Sequence, residues 1–133
     1  MNYLIHQLLN TEEINLIKKE LEKYPQDWED GKKTAGSHAS MVKNNLQLNR
    51  NSEESKKNSQ LVNKKILSNQ LIKSFSLPKR IHGIMFTKSS ENMHYGRHID
   101  NPYMSSGRSD LSFTLRNLNL NFLDILLINL LDE

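Results

Sequence analysis

Apolar residues recur every three or four positions between residues 10 and 25, which predicts a first helix. The apolar stripe consists of Ile14, Ile17, Leu21 and Tyr24. Asn10 or Thr11 can cap the first free N–H groups, and Pro25 ends the pattern. We expect this helix to support the fold and to carry no chemistry.

A second helical pattern follows between residues 51 and 77. Asn51 or Ser52 can cap its start, and Pro78 lies just past its end. Its predicted core-facing residues are Val62, Ile66, Leu67, Leu71 and Phe75. We interpret the segment as one continuous helix.

Beyond Pro78 the period changes from helical to alternating, which is typical of strands. Strands are predicted at residues 81–86, 93–99 and 110–115. The order of two helices followed by at least three strands predicts an α+β fold.

An earlier alternation at residues 41–48 separates an apolar face from a polar one. The apolar face contains Val42, Leu46 and Leu48, and the polar face contains Lys43, Asn45 and Gln47. The polar face is either solvated surface or the wall of a pocket, and the pattern leaves both interpretations open.

The last segment differs from the rest of the chain. Residues 116–133 are built almost entirely from Leu, Asn, Ile and Asp, with no Gly or Pro to signal a hairpin. We therefore divide the chain into a helical N-terminal segment at 1–80, the first sheet strands at 81–115 and an atypical Leu/Asn-rich tail at 116–133. The expected sheet is incomplete and has unpaired edges.

Composition limits the classes of protein that fit. A length of 133 residues with 36% hydrophobic and 7% aromatic content indicates one domain with a thin core. The net charge is +3 and the lysines are scattered among acids, which argues against a nucleic-acid interface. No signal-peptide pattern is present, and the apolar tail is too short and too interrupted to span a bilayer. We expect a cytoplasmic protein with no membrane or nucleic-acid partner.

The candidate chemistry lies in the stretch HYGRHIDNPY, residues 94–103. The chain has no cysteine, so any metal must be held by His, Asp or Glu. In a strand, residues 94, 96, 98 and 100 share a face, so His98 and Asp100 would project together. A distant second His commonly completes such a pair into a facial triad on non-haem Fe(II). The alternative is a surface strand end, with Asp100 starting the turn before Asn101.

Two separated strings resemble a known family. YGRHIDNP with the following GRSDLSFTL, and DGKKTAGSHASMVKNNLQL before them, are similar to the bacterial PKHD-type hydroxylases, relatives of the prolyl 4-hydroxylases. The resemblance covers about residues 1–115. It implies a double-stranded β-helix, or jelly-roll barrel, with the N-terminal helices packed on it.

The resemblance also implies a reaction. Members are Fe(II)- and 2-oxoglutarate-dependent dioxygenases, which decarboxylate 2-oxoglutarate to succinate while hydroxylating a C–H bond, with L-ascorbate as the usual auxiliary. It implies iron bound by His98 and Asp100, and a pocket mouth lined by Lys43, Asn45 and Gln47. The substrate stays open between a protein side chain, an amino acid and a small metabolite.

The sequence departs from the family pattern in three places. No His follows His98, and the only later arginines are Arg108 and Arg116, so the family's second metal His and the Arg that pairs with the cosubstrate's far carboxylate are absent. The residues after LSFTL differ from the family's Gly- and Glu-rich loop. A Tyr expected nine or ten residues before the metal His is missing, and Tyr95 is a weak candidate for its cosubstrate contact.

His94 lies on the same strand face but nearly two strand repeats from His98, too far for one metal without a bulge. His38 and His82 are the remaining candidates for a third ligand, although a lone His is more often exposed or hydrogen-bonded structure. His6 has no supporting context. We expect a hydroxylase truncated after about residue 115 and impaired in activity. The alternative is a non-catalytic remnant that acts as an interaction module or an oligomerising half-barrel, and an oligomer that supplies the missing His in trans also stays open.

Overall fold

The computed structural model describes residues 7–76, 81–99, 103–104, 107–108, 111–116 and 124–130. The helices are α1 (Thr11–Glu22), α2 (Ser37–Met41), α3 (Glu53–Ser68) and α4 (Gln70–Ser76), with 3₁₀ turns at Pro25–Asp27 and Gly31–Thr34. The strands are β1 (Trp28–Asp30), β2 (Lys43–Asn44), β3 (Leu46–Leu48), β4 (Ile81–Lys88), β5 (His94–Tyr95), β6 (Tyr103–Met104), β7 (Gly107–Arg108), β8 (Leu111–Arg116) and β9 (Asp124–Leu130). The predicted α+β class is confirmed.

Helix α1 begins with a reciprocal cap, and of the two predicted capping residues it is Asn10 that forms it. The Asn10 side chain accepts a hydrogen bond from the Glu13 N–H at 2.8 Å, and the Asn10 N–H donates to the Glu13 carboxylate at 3.0 Å. Ile17 and Leu21 on the predicted stripe are buried. An ion pair between Glu13 and Lys65 joins α1 to α3.

The prediction of one continuous second helix is wrong. Helix α3 ends at Ser68, and Asn69 takes an extended conformation with ψ 117°. The Asn69 side chain then accepts a hydrogen bond from the Ile72 N–H at 3.0 Å, which caps a new helix, α4.

The break at Asn69 changes which residues are buried. Leu67, Leu71 and Phe75 remain 38%, 41% and 61% exposed, while Ile72 is buried. Val62 and Ile66, which precede the break, are buried as predicted.

Five strands form the main sheet, in the order β1-β3-β4-β9-β8. All pairs are antiparallel. Strand β9 comes from the Leu/Asn-rich tail and lies between β4 and β8, so the tail supplies an inner strand that the sequence pattern did not predict. The strands at 81–86 and 110–115 are confirmed as β4 and β8, and the described strands form an open sheet rather than a closed barrel.

Three of the strands, β1 to β3, lie within the segment predicted as helical. Two short antiparallel pairs, β2 with β5 and β6 with β7, accompany the main sheet. Strands β2 and β3 are separated in the sequence only by Asn45, yet they belong to different sheets.

Helices α1 and α3 pack on one face of the main sheet and form the core with it. The buried core residues are Leu9, Ile17, Leu21, Leu48, Val62, Ile66, Ile72, Ile84 and Phe86. Because side chains alternate along a strand, Gln47 and Thr87 point to the opposite face from their neighbours Leu48 and Phe86. Gln47 and Thr87 are paired in register and both are buried, so the face away from the helices buries polar side chains as well as Met85.

Among the described residues, no helix is both long enough and apolar enough to cross a membrane.

Candidate functional site

The predicted strand at 93–99 is only two residues long. Strand β5 pairs Tyr95 with Lys43 and His94 with Asn44, and residues 96–99 lie outside any strand. The strand argument that aligned residues 94, 96, 98 and 100 is therefore wrong for residues 96 and 98.

Close packing at Gly96 accounts for the end of β5. The Gly96 N–H donates to the Val42 carbonyl at 2.7 Å. A Cβ atom on residue 96 would lie 2.9 Å from Val42 Cβ, closer than side-chain carbons pack. Glycine lets the backbone approach Val42 at this point, where the ladder between β2 and β5 ends.

His98 turns back onto the strand that precedes it. Its ring stacks on the Tyr95 ring with centroids 3.8 Å apart and planes 11° apart. His98 Nδ1 lies 2.8 Å from the Gly96 carbonyl oxygen. Because that oxygen can only accept, Nδ1 carries the proton, and the lone pair of the neutral imidazole is on Nε2.

The structure describes only part of the predicted metal site. Asp100 lies outside the described residues. His94 is exposed on β5, and no three His, Cys, Asp or Glu residues in the described part of the chain form a group that could hold a metal ion.

The predicted pocket residues are buried. Lys43, Asn45 and Gln47 are 3%, 6% and 3% exposed, which rules out the solvated-surface interpretation of their polar face.

Hydrogen bonds connect this polar face to the 3₁₀ turn Gly31–Thr34. Lys43 Nζ donates to Thr34 Oγ1 at 3.2 Å, and the Thr34 hydroxyl is hydrogen-bonded to Gln47 Oε1. Lys43 Nζ also lies 4.9 Å from the centroid of the Tyr95 ring, a cation–π distance. The fold thus brings together the two separated strings of the sequence, through a chain of contacts from Gln47 to His98.

Lys43 is a buried ammonium group without a carboxylate partner. No Asp or Glu oxygen of the described residues lies within 4.0 Å of Nζ. Burial lowers the pKa of Lys43, the positive charge of Arg50 lowers it further, and Asp30 raises it in part.

Two amide atoms of the same polar face have no hydrogen-bond partner among the described residues. These are Asn45 Oδ1 and Gln47 Nε2, both fully buried. Native structures satisfy most buried polar atoms, so such atoms are expected where a ligand or another group is to be bound.

Gly31 and Thr34 also belong to this site, and the alternation of polar and apolar residues did not predict them as site residues. A Cβ atom at residue 31 would lie 2.0 Å from Asn45 Oδ1 and 3.0 Å from Lys43 Cε. The Gly31 N–H donates to the Asn45 carbonyl at 2.9 Å. The available signal was the D-G and T-A-G spacing of the resembling string, which places both residues next to Lys43.

Curated proteins that are similar to this chain share one name. A protein of Prochlorococcus marinus strain MIT 9301, named PKHD-type hydroxylase, is 85% identical over 125 residues, which cover 93% of this chain and 56% of that protein. The chain is a relative of the PKHD-type hydroxylases. Proteins of the same name from strains MIT 9515 and MIT 9313 are 70% and 54% identical over 86% of this chain and 52% of their own length.

The suspected resemblance is thereby confirmed. The chain spans about half the length of the PKHD-type hydroxylases that it matches. No protein-family model and no solved structure matches it.

Proposed function

We propose that this chain carries the Fe(II)-binding H-x-D motif of a 2-oxoglutarate-dependent dioxygenase, with His98 and Asp100 as two of the iron ligands. The supporting observation is the imidazole of His98. Its Nδ1–H is held by the Gly96 carbonyl and its ring is held by Tyr95, in a chain whose relatives are named hydroxylases.

The chemistry of these donors fits a non-haem iron. Metal-bound histidines usually donate their second ring N–H to a carbonyl or carboxylate, which fixes the tautomer and the direction of the lone pair. The Gly96 carbonyl does this for His98, so Nε2 is the atom that would bind the ion. Imidazole and carboxylate together are the ligand types of the facial triad of Fe(II) oxygenases.

Iron with 2-oxoglutarate and O₂ would supply the oxidising power for hydroxylation, with ascorbate keeping the metal reduced. The chain's own residues would bind the metal and orient its ligands. Tyr95 and the Gly96 carbonyl hold the His98 ring, while Lys43 places its ammonium group over the Tyr95 ring and Gln47 is linked to Lys43 through Thr34. The proposed substrate class is a protein side chain, an amino acid or a small metabolite.

We further propose that the complete fold is a double-stranded β-helix. The five-stranded main sheet would be one wall, and the β2–β5 pair would belong to the other. This arrangement would place the buried polar face of Gln47 and Thr87 inside the barrel, on the side away from the helices. The antiparallel pairing of the described strands and their packing against α1 and α3 support this fold.

The test is Mn(II) binding, since Mn(II) is a redox-stable substitute for Fe(II). Loss of the electron paramagnetic resonance signal of free Mn(II) would be titrated for the chain and for His98→Ala, with and without 2-oxoglutarate. We expect His98→Ala to weaken Mn(II) binding by about tenfold or more, because even loss of an outer-shell partner typically costs 10–100-fold.

His94→Ala is the matched control, because His94 is an exposed imidazole in the same short segment. It should leave Mn(II) binding unchanged. Equal Mn(II) affinity for the unsubstituted chain and His98→Ala would overturn the assignment of His98 as a ligand.

A further inference from the structure

The buried ammonium of Lys43 belongs to a connected group of side chains from three neighbouring elements. Thr34 contributes its hydroxyl from the 3₁₀ turn, Gln47 its amide from β3 and Tyr95 its ring from β5. Lys43 itself lies on β2, which pairs with β5. The pairing of β2 with β5 therefore fixes the backbone positions of Lys43 and Tyr95 relative to each other.

The charge of this group is not balanced. An ammonium group removed from water is costly unless an anion accompanies it. Lys43 has one hydroxyl contact and one aromatic contact, and no carboxylate of the described residues pairs with it. Two of the three ammonium hydrogens are thus left to donate to another acceptor.

Gln47 supplies a second donor, and it shares the Thr34 hydroxyl with Lys43. Its Oε1 is used by Thr34, whereas its Nε2 is buried and has no hydrogen-bond partner among the described residues. The other orphaned atom, Asn45 Oδ1, packs against Gly31. The donors left for a ligand are therefore one ammonium and one amide N–H group.

We propose that Lys43 and Gln47 form a subsite for the carboxylate group of a small ligand. Two donors match the two oxygens of one carboxylate, with the ionic hydrogen bond from Lys43 supplying most of the attraction. A phosphate group offers more oxygens and more charge than this pair of donors can satisfy.

The subsite lies beside the proposed iron ligand, because Tyr95 touches both Lys43 and His98. The inference deepens the proposed function by naming a carboxylate as part of its ligand, and it rests on that function only for the identity of the ligand. Binding of a carboxylate itself needs no metal.

The experiment is therefore made on the metal-free chain, with succinate as the probe. Nuclear magnetic resonance would follow the side-chain amide of Gln47 and the ring protons of Tyr95 during titration. We expect saturable shifts at both residues, and we expect Lys43→Met to weaken succinate binding at least tenfold. Succinamide, which has the same carbon chain without charge, should cause no saturable shift.

Lys88→Met is the matched control. Lys88 Nζ also lies near an aromatic ring, 5.9 Å from the centroid of Trp28, so the substitution removes a similar contact elsewhere. Succinate binding should survive it. Equal succinate affinity for Lys43→Met and the unsubstituted chain, the absence of saturable shifts, or equal shifts with succinamide would each overturn the proposal.

A second arm distinguishes the source of the carboxylate. With Mn(II) added, displacement of succinate by 2-oxoglutarate would assign the subsite to the cosubstrate, and retention of succinate would assign it to the substrate. Both results support a carboxylate subsite. Succinate binding together with absent Mn(II) binding would leave this subsite standing and remove the proposed function.

Discussion

The properties of Lys43 follow from its surroundings rather than from its residue type. On an exposed strand the same lysine would be solvated, but here it is buried between a hydroxyl and an aromatic ring. A residue kept at such a cost to folding is more easily explained by ligand binding than by stability.

Replacing Lys43 by methionine should therefore stabilise the chain while it removes carboxylate binding. We expect Lys43→Met to raise the free energy of unfolding by about 1 kcal/mol, since buried charges replaced by apolar groups of similar volume often give neutral to positive changes. Urea unfolding with Lys88→Met alongside measures the difference. A clear loss of stability in Lys43→Met would show that the lysine supports the fold.

The same lysine predicts a pH dependence. The folded chain lowers the pKa of Lys43 below its ordinary value of 10.5 through burial and Arg50, with Asp30 opposing, so the unfolded chain binds more protons between the two pKa values. The unfolding free energy should then rise with pH in that window, relative to Lys43→Met. Urea titrations of both proteins across the alkaline range would measure the difference between their unfolding free energies. This difference should become smaller as pH approaches 10.5.

At the scale of single elements, the spacing of apolar residues predicted where helices form, but a side-chain cap determined where one helix ends and the next begins. The spacing of apolar residues after Asn51 correctly predicted a helix and the burial of Val62 and Ile66. It could not show that Asn69 would leave helical geometry and cap a new helix, because Asn is compatible with both roles. The strand at 93–99 failed for a similar reason, since the close approach of Gly96 to Val42 is a contact across 54 positions of the chain.

The break between α3 and α4 predicts opposite effects for two adjacent residues. Ile72→Ala should lower the unfolding free energy by about 2–4 kcal/mol, as expected for a buried aliphatic side chain. Leu71→Ala should change it by less than about 1 kcal/mol, because Leu71 is 41% exposed. Chemical denaturation of both variants tests the break. A larger loss of stability in Leu71→Ala than in Ile72→Ala would support one continuous helix instead.

The turn before β2 predicts a second contrast, between two glycines. Gly31→Ala should cost about 1–3 kcal/mol, because its Cβ would meet Asn45 Oδ1 at 2.0 Å. Gly36→Ala serves as the control, since a Cβ there has no atom within 4 Å, and it should be nearly neutral. Thermal unfolding of the two variants would compare them, and equal stabilities would contradict the packing at residue 31.

At the scale of the whole molecule, the sequence predicted the α+β class, and the resemblance predicted the family. The position of the tail could not be predicted. A run of Leu, Asn and Ile without turn signals fits a strand or a helix equally well, and only pairing with two distant strands settles it. The burial of Lys43, Asn45 and Gln47 likewise depends on β5 and the 3₁₀ turn, which the alternation at 41–48 does not contain.

Amide hydrogen exchange would test the inner position of β9. Backbone amides of Asp124–Leu130 should be protected to a degree similar to those of β4, because both strands have neighbours on two sides. The edge strands β1 and β8 should exchange faster. Rapid exchange throughout residues 124–130 would contradict the five-stranded order.

The inner place of β9 also has a consequence for how the chain acquires its fold during synthesis. Strands β4 and β8 are joined in the sheet only through β9, which follows both in the sequence. While residues 124–130 are still within the ribosome, the helices can pack on β1, β3 and β4, but β8 has no partner in the main sheet. The nascent chain would thus expose the open side of β4 until β9 emerges, and this interval is when a chaperone or another chain could bind β4.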